Sequence, residues 1–214
     1  LVSLGVPTFK IFPFCYFVAS KQDVVASNKS YASSRPLRCA FVGSLTQLKG
    51  LPLLLDVFQE LSSSCASLDL YSFDSYTLQP LPQAVHFKGP IKFGQTSLIL
   101  ANYDLLVLPS YYDGWGVVIN EAMHAGVPVL CSTSVGASTI IKKYGSGFLF
   151  DNNSPRALLS LILSLSASRH QLLNISQNCH RASKSLAPSL GAQYIEAVLS
   201  GDSTMASRIS SLWY

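Results

Sequence analysis

Two carboxylates eight residues apart, Asp113 and Glu121, lie in the segment PSYYDGWGVVINE, with the run GWGVVIN between them. Gly114 and Gly116 lack a Cβ and let backbone come close to a ligand. The amides of Gly116, Val117 and Val118 fall where a helix is expected to begin. The first amides of a helix have no partner within it and, with the helix dipole, attract anions such as phosphate. Carboxylates accept hydrogen bonds from pairs of hydroxyls. A molecule with phosphate in its middle and hydroxyls at both ends would match this layout, and a nucleotide-sugar is built that way. Asp113 could equally be a turn cap, and Glu121 an exposed helix position. Glu121 is, however, one of three glutamates in the sequence and sits beside Val117, Val118 and Ala122, surroundings in which a charge needs a partner.

A second segment, GSLTQLKG from Gly43 to Gly50, carries Lys49 just before another expected helix. A cation there sits in the unfavourable field of the helix dipole unless an anion lies between. The segment is neither GxGxxG nor GxxxxGK[ST], so it lacks the dinucleotide and the ATP fingerprints. A third segment, STSVGAS from Ser132 to Ser138, is expected to border the same cleft as an ordinary connecting loop. Cys15, Cys39, Cys65, Cys131 and Cys179 are scattered, as are His86, His124, His170 and His180. Without CxxC or HxxxH spacing they read as buried thiols and packing residues, and no metal is expected. His124, one turn from Glu121, reads as helix packing rather than a base.

The elements that must position these groups follow from hydrophobic patterning. Hydrophobic residues make up 49% of the sequence and charged residues 12%, which excludes a disordered chain. The net charge of +4 comes without a basic run, which is weak evidence for nucleic acid or an acidic membrane and does not decide the partner; no nucleic-acid partner is expected. From Leu37 onward, short apolar runs alternate with turns and helical periodicity, the pattern of an α/β parallel sheet with crossover helices. Strands are expected at 37–43, 67–73, 84–88, 104–109, 128–131 and 147–150. Helices are expected after Gly50, over 94–103, 117–125 and 137–144, and from Ser154. The connection through Gln79-Pro-Leu-Pro-Gln83 should be irregular. Two further helices are expected over 171–186 and 191–199, and Ile11 to Val18 reads as a strand or linker. The apolar stretch Ala157 to Ala167 is too short and too serine-rich to span a membrane.

The order FVGSLTQLKG, VHFKGPI, PSYYDGWGVVINEAMHAGVPVLCS, VGAS and GSGFLF resembles the carboxyl-terminal, donor-binding domain of GT-B retaining glycosyltransferases of the family 4 type, also called glycosyl transferases group 1. The resemblance covers about 37–167 and implies a Rossmann-like doubly wound sheet, one half of a GT-B fold. It implies that Glu121 holds the ribose hydroxyls of a nucleotide-diphosphate-sugar. Asp113, with the backbone of Gly114, Trp115 and Gly116, would hold the transferred sugar, and the Val117 and Val118 amides would receive the diphosphate. It further implies that Lys49 stabilises the departing diphosphate, near Gly43 and Ser44, and that Gly89, Pro90 and Ile91 contact the base. Two positions depart from the family pattern: Ser44 stands where arginine is usual, and Asp113 where glutamate is usual. Losing a charge-assisted bond to phosphate costs on the order of 1.5–3 kcal/mol.

The expected organisation is a lead-in segment over 1–35, a nucleotide-sugar-binding domain over 36–168, and helices over 169–214 that pack back on an amino-terminal domain preceding Leu1. The expected activity is metal-independent hexosyl transfer to a glycan, glycolipid or protein acceptor, in the cytoplasm or against a membrane surface. The other readings are a non-catalytic nucleotide-sugar-binding subunit that needs a partner chain, and an epimerase acting on the donor sugar.

Overall fold

The computed structural model describes residues 2–19, 31, 34–75 and 80–214. Its centre is a six-stranded, wholly parallel sheet: β1 (Leu37–Val42), β2 (Ala66–Tyr71), β3 (Val85–Gly89), β4 (Leu105–Leu108), β5 (Val129–Ser132) and β6 (Gly147–Phe150), in the order β3-β2-β1-β4-β5-β6. This is the doubly wound arrangement expected from the alternating pattern. It has a consequence for function: strand order reverses between β1 and β4, and in such sheets ligands bind outside the carboxyl ends of the strands at that reversal. The loops leaving β1 and β4 are those that carry Lys49 and Asp113.

Every residue of β4 and β5 is buried, because these strands are covered on both faces, as continuous apolar runs predict. The helices are α1 (Leu51–Glu60), α2 (Thr96–Leu100), α3 (Val117–His124), α4 (Ser138–Tyr144), α5 (Pro155–Ala167), α6 (His170–Lys184), α7 (Pro188–Ser200) and α8 (Ser203–Ser210). Pro52 and Pro155 sit in first turns, where the missing amide costs nothing. Helix α6 packs on α3 and α4, and α7 packs on α8.

Several expectations need correction. The run Ile11–Val18 is not a strand: 11–19 has no regular structure and lies as a strap. Tyr194 Oη donates to the carbonyl of Pro13, Tyr214 Oη to that of Phe14, Asn120 Nδ2 to that of Tyr16 at 2.7 Å, and His124 Nε2 lies 3.1 Å from that of Val18. Its carbonyls are thus spent on side chains rather than on a neighbouring strand. Helix α8 is unanticipated, although Asp202 caps it by accepting from the Met205 amide at 2.9 Å. Helix α2 is shorter than the 94–103 expected, with Gly94 and Gln95 left outside it. In the proline-rich connection, 80–83 is without helix or strand, and Gln79 lies outside the described residues.

Two glycines let the site loops meet. Gly50 is left-handed (φ 76°), and a Cβ there would lie 2.1 Å from the Pro109 carbonyl oxygen at the end of β4. Gly116 is likewise left-handed (φ 84°), and a Cβ would lie 2.8 Å from Val135 Cγ1. Gly50→Ala therefore combines a conformation that L-residues avoid with a backbone clash. It is expected to destabilise the fold by about 2 kcal/mol or more, measured as a lower urea midpoint at unchanged m-value; an unchanged midpoint would contradict this account of the loop contact.

Candidate functional site

The β1–α1 loop, residues 43–50, and the β4–α3 loop, residues 109–116, meet across the strand-order reversal. The Tyr111 amide donates to the Leu48 carbonyl at 2.9 Å. Above this contact Lys49 Nζ lies 2.7 Å from Asp113 Oδ2, with both side chains partly exposed. Asp113 Oδ1 accepts the Trp115 amide at 3.2 Å. Asp113 is therefore both the turn residue that its type suggests and the counter-ion of Lys49. Helix α3 begins immediately afterwards with Gly116 at its N-cap, and no side chain caps it.

The β5–α4 loop closes the other side. The Asp113 amide donates to the Ser134 carbonyl, the Gly136 amide to the Asp113 carbonyl at 3.0 Å, and the Ala137 amide to the Trp115 carbonyl at 2.9 Å. Asp113 and Val135 form a parallel bridge. The third segment singled out in the sequence thus borders the cleft through its backbone. Gly114 has open space where its Cβ would be, with nothing within 4 Å.

Glu121 sits one turn into α3 and faces the other half of the site. Burial raises the pKa of its carboxyl, and the nearby side chain of Thr96, at the start of α2, opposes that shift. Thr96 lines a cavity of about 220 Å³ at the carboxyl ends of β1 to β3, together with Gly43, Ser44 and Ile91. Of the sequence-predicted residues, then, Gly43, Ser44 and Ile91 share one cavity with Thr96, whose side chain lies near the Glu121 carboxyl. Lys49, Asp113 and Gly114 to Val118 lie around the reversal and the start of α3. Gly89 ends β3 and Pro90 is exposed beside it.

The Trp115 side chain packs into the protein. It is 5% exposed, its Nε1 donates to Asn120 Oδ1 at 2.9 Å, and its ring lies 6.3 Å from that of Tyr16. Its side chain holds the loop to the strap, and only its backbone faces the cleft loops. His124 is held by Val18 and is less basic than usual because burial disfavours its charged form. Arg35 and Arg38 do not replace the arginine missing at Ser44. Arg35 is spent on Asp104 and the Arg38 amide also donates to Asp104, at the amino ends of β1 and β4. Burial pushes the Cys15 and Cys131 thiols up to about 12, so neither is a ready nucleophile. Among the described residues no three His, Cys, Asp or Glu side chains gather as metal ligands, and no helix is long and apolar enough to cross a membrane.

Sequence reasoning missed Tyr71, Ser72, Phe73 and Asp74, which line the cavity from the end of β2. The polar run after an apolar strand was the available signal. Asp74 accepts the Leu45 amide at 2.6 Å and so fixes the β1–α1 loop from outside.

The raised pKa of Glu121 carries a stability prediction. The folded state holds this proton more tightly than the unfolded chain, so the group stabilises the fold at low pH. That contribution is lost as pH rises from the ordinary value of 4.5 through the raised one. Glu121→Gln, which keeps the shape of the side chain without the charge, is expected to melt higher than wild type at pH 7. The difference should shrink below about pH 4.5. A variant that melts lower at pH 7 would show that the carboxylate is paid for by partners already in place.

A family model described as "Glycosyl transferases group 1" matches residues 36–168. The uncharacterized glycosyltransferase MJ1178 of Methanocaldococcus jannaschii is 24% identical over 148 residues, covering 67% of this chain and 42% of the relative. The putative teichuronic acid biosynthesis glycosyltransferase TuaC of Bacillus subtilis is 31% identical over 57% of this chain and 31% of its own length. The chain therefore spans less than half the length of these relatives. Among solved structures, WaaG, a glycosyltransferase involved in lipopolysaccharide biosynthesis, superposes with a TM-score of 0.65 at 20% identity, covering 82% of this chain and 52% of that one. HepE of Anabaena in complex with UDP-glucose superposes with a TM-score of 0.66 at 19% identity, covering 79% and 50%. Both likenesses concern the fold.

Proposed function

The chain belongs to the glycosyl transferases group 1 family, and we propose that it is the donor-binding part of an enzyme that transfers a hexose from a nucleotide-diphosphate-sugar with retention of configuration. The observation that carries this reading is the Lys49–Asp113 pair, set across the strand-order reversal beside the start of α3. Lys49 and the first amides of α3 would take the diphosphate. Asp113, released from Lys49, would accept hydrogen bonds from the sugar, and Glu121 from the ribose. The base would enter the cavity lined by Ile91. HepE, one of the structures alike in fold, is in complex with UDP-glucose, which supports a donor of this class.

The chemistry asked of these residues is electrostatic. As the bond from sugar to diphosphate breaks, negative charge grows on the leaving oxygens, and fixed donors aimed there stabilise it. Lys49 and the α3 amides do this without a metal in our reading. The acceptor, a glycan, glycolipid or protein rather than a nucleic acid, would be presented by an amino-terminal domain or a partner chain, against which the helices after 169 would pack. We place the protein in the cytoplasm, at a membrane surface if its acceptor is a lipid.

The test is to incubate the full protein with nucleotide-sugars and follow nucleotide release, then read the anomeric configuration of the product by NMR. Release with the donor's configuration kept is the expected result. An inverted product would overturn retention. Donor binding without transfer or hydrolysis would favour the binding-subunit reading, for which Ser44 in place of arginine is the specific motive.

A further inference from the structure

Asn152 follows β6, between Asp151 and Asn153, both exposed, yet it is 5% exposed itself. Its neighbours serve the local turn: Asp151 Oδ1 accepts both the amide and the side chain of Asn153. Asn152 instead reaches inward. One Nδ2 hydrogen goes to the Ser110 carbonyl at 3.0 Å and the other to Ser134 Oγ at 3.1 Å. Ser110 lies at the end of β4, three residues before Asp113, and its carbonyl also accepts Ser132 Oγ. Ser134 lies in the β5–α4 loop and accepts the Asp113 amide on its own carbonyl. A single amide thus ties together the two loops between which Asp113 and the start of α3 are held.

We propose that Asn152 is a positioning residue, whose amide fixes the β4–α3 loop against the β5–α4 loop and so sets where Asp113 and the α3 amides meet the diphosphate and sugar. The inference rests on the donor-site reading above. A turn closed for its own sake is satisfied by local bonds, as Asp151 shows. Asn152 spends both its donors on segments 18 and 42 residues earlier in the chain. Both loops leave the sheet on the β4–β5 side, whereas the cavity lined by Ser44, Ile91 and Thr96 lies at β1 to β3. Loosening the clamp should therefore affect the diphosphate end of a donor and leave the nucleoside end alone.

The test compares UDP with uridine, or GDP or ADP with its nucleoside if wild type prefers that base, by NMR titration of wild type, Asn152→Ala and Ser134→Ala; the figures for UDP apply to whichever diphosphate binds. Asn152→Ala should weaken UDP about tenfold, and Ser134→Ala, which removes one of the two acceptors at an exposed position, about threefold. Uridine affinity should stay within about twofold in both. UDP affinity unchanged in both variants would overturn the proposal, as would an equal loss for uridine, the mark of a general loosening. If Asn152→Ala does not fold, Ser134→Ala alone decides. A wild-type chain that binds none of UDP, GDP and ADP would overturn the donor-site reading itself, a different outcome from unchanged variants of a binding protein.

Discussion

Lys49→Ala is expected to slow sugar transfer on the order of 10²–10³-fold, the usual effect of removing a preorganised charge from the point where negative charge develops. Lys49 extends from the β1–α1 loop toward Asp113 at 2.7 Å. That contact makes a carboxylate its partner while no donor is bound. A diphosphate carries more charge than a carboxylate and would displace Asp113, which then becomes available to the sugar hydroxyls. Removing Lys49 therefore does two things. It takes away the leaving-group cation, and it leaves Asp113 as an uncompensated negative charge beside the diphosphate. Nucleoside affinity should be unchanged, because the cavity at β1 to β3 is lined without Lys49. Single-turnover assays and uridine titrations would separate the two effects. A variant with near wild-type turnover would remove Lys49 from the mechanism.

Glu121→Ala is expected to weaken nucleoside diphosphate binding about 100-fold. A carboxylate accepting from two ribose hydroxyls makes charge-assisted bonds of about 1.5–3 kcal/mol each, and about 2.7 kcal/mol of net loss is two decades in Kd. The same bonds set the pH dependence. Burial raises the pKa of Glu121, and only the ionised form accepts both hydroxyls, so affinity should fall as pH drops through that raised value. Donor binding in turn lowers the pKa, since hydrogen bonds to the charged form favour it. Pyrophosphate, which has no ribose, should bind wild type and Glu121→Ala alike, and a shared loss would place Glu121 in the diphosphate subsite instead.

The sheet was readable because its strands are short apolar runs punctuated by glycine and proline, and parallel crossovers leave few alternative topologies. The site was readable only where chemistry and backbone coincide in a short stretch, from Asp113 through Glu121, with Lys49 found by its conflict with a helix dipole. The pairing of Lys49 with Asp113 was not readable. It depends on β1 and β4 being neighbours, which no local pattern encodes. The Trp115 side chain packs against Asn120 and Tyr16, a contact with the strap that no local pattern encodes. Asn152 gave no signal because an asparagine in an Asp-Asn-Asn-Ser turn is commonplace, and its partners lie far away in sequence. The strap at 11–19 looked like a strand because it is apolar. Its carbonyls find tyrosine, asparagine and histidine side chains rather than a neighbouring strand.

The most direct measurement is calorimetric titration of the chain with UDP, GDP and ADP, each repeated on Glu121→Ala. The account predicts one site per chain, preference for one base, and loss of that binding in the variant while its melting curve stays cooperative. A cooperatively folded wild-type chain that binds none of the three, or one whose binding survives Glu121→Ala unchanged, would contradict a donor site between β1, β4 and α3.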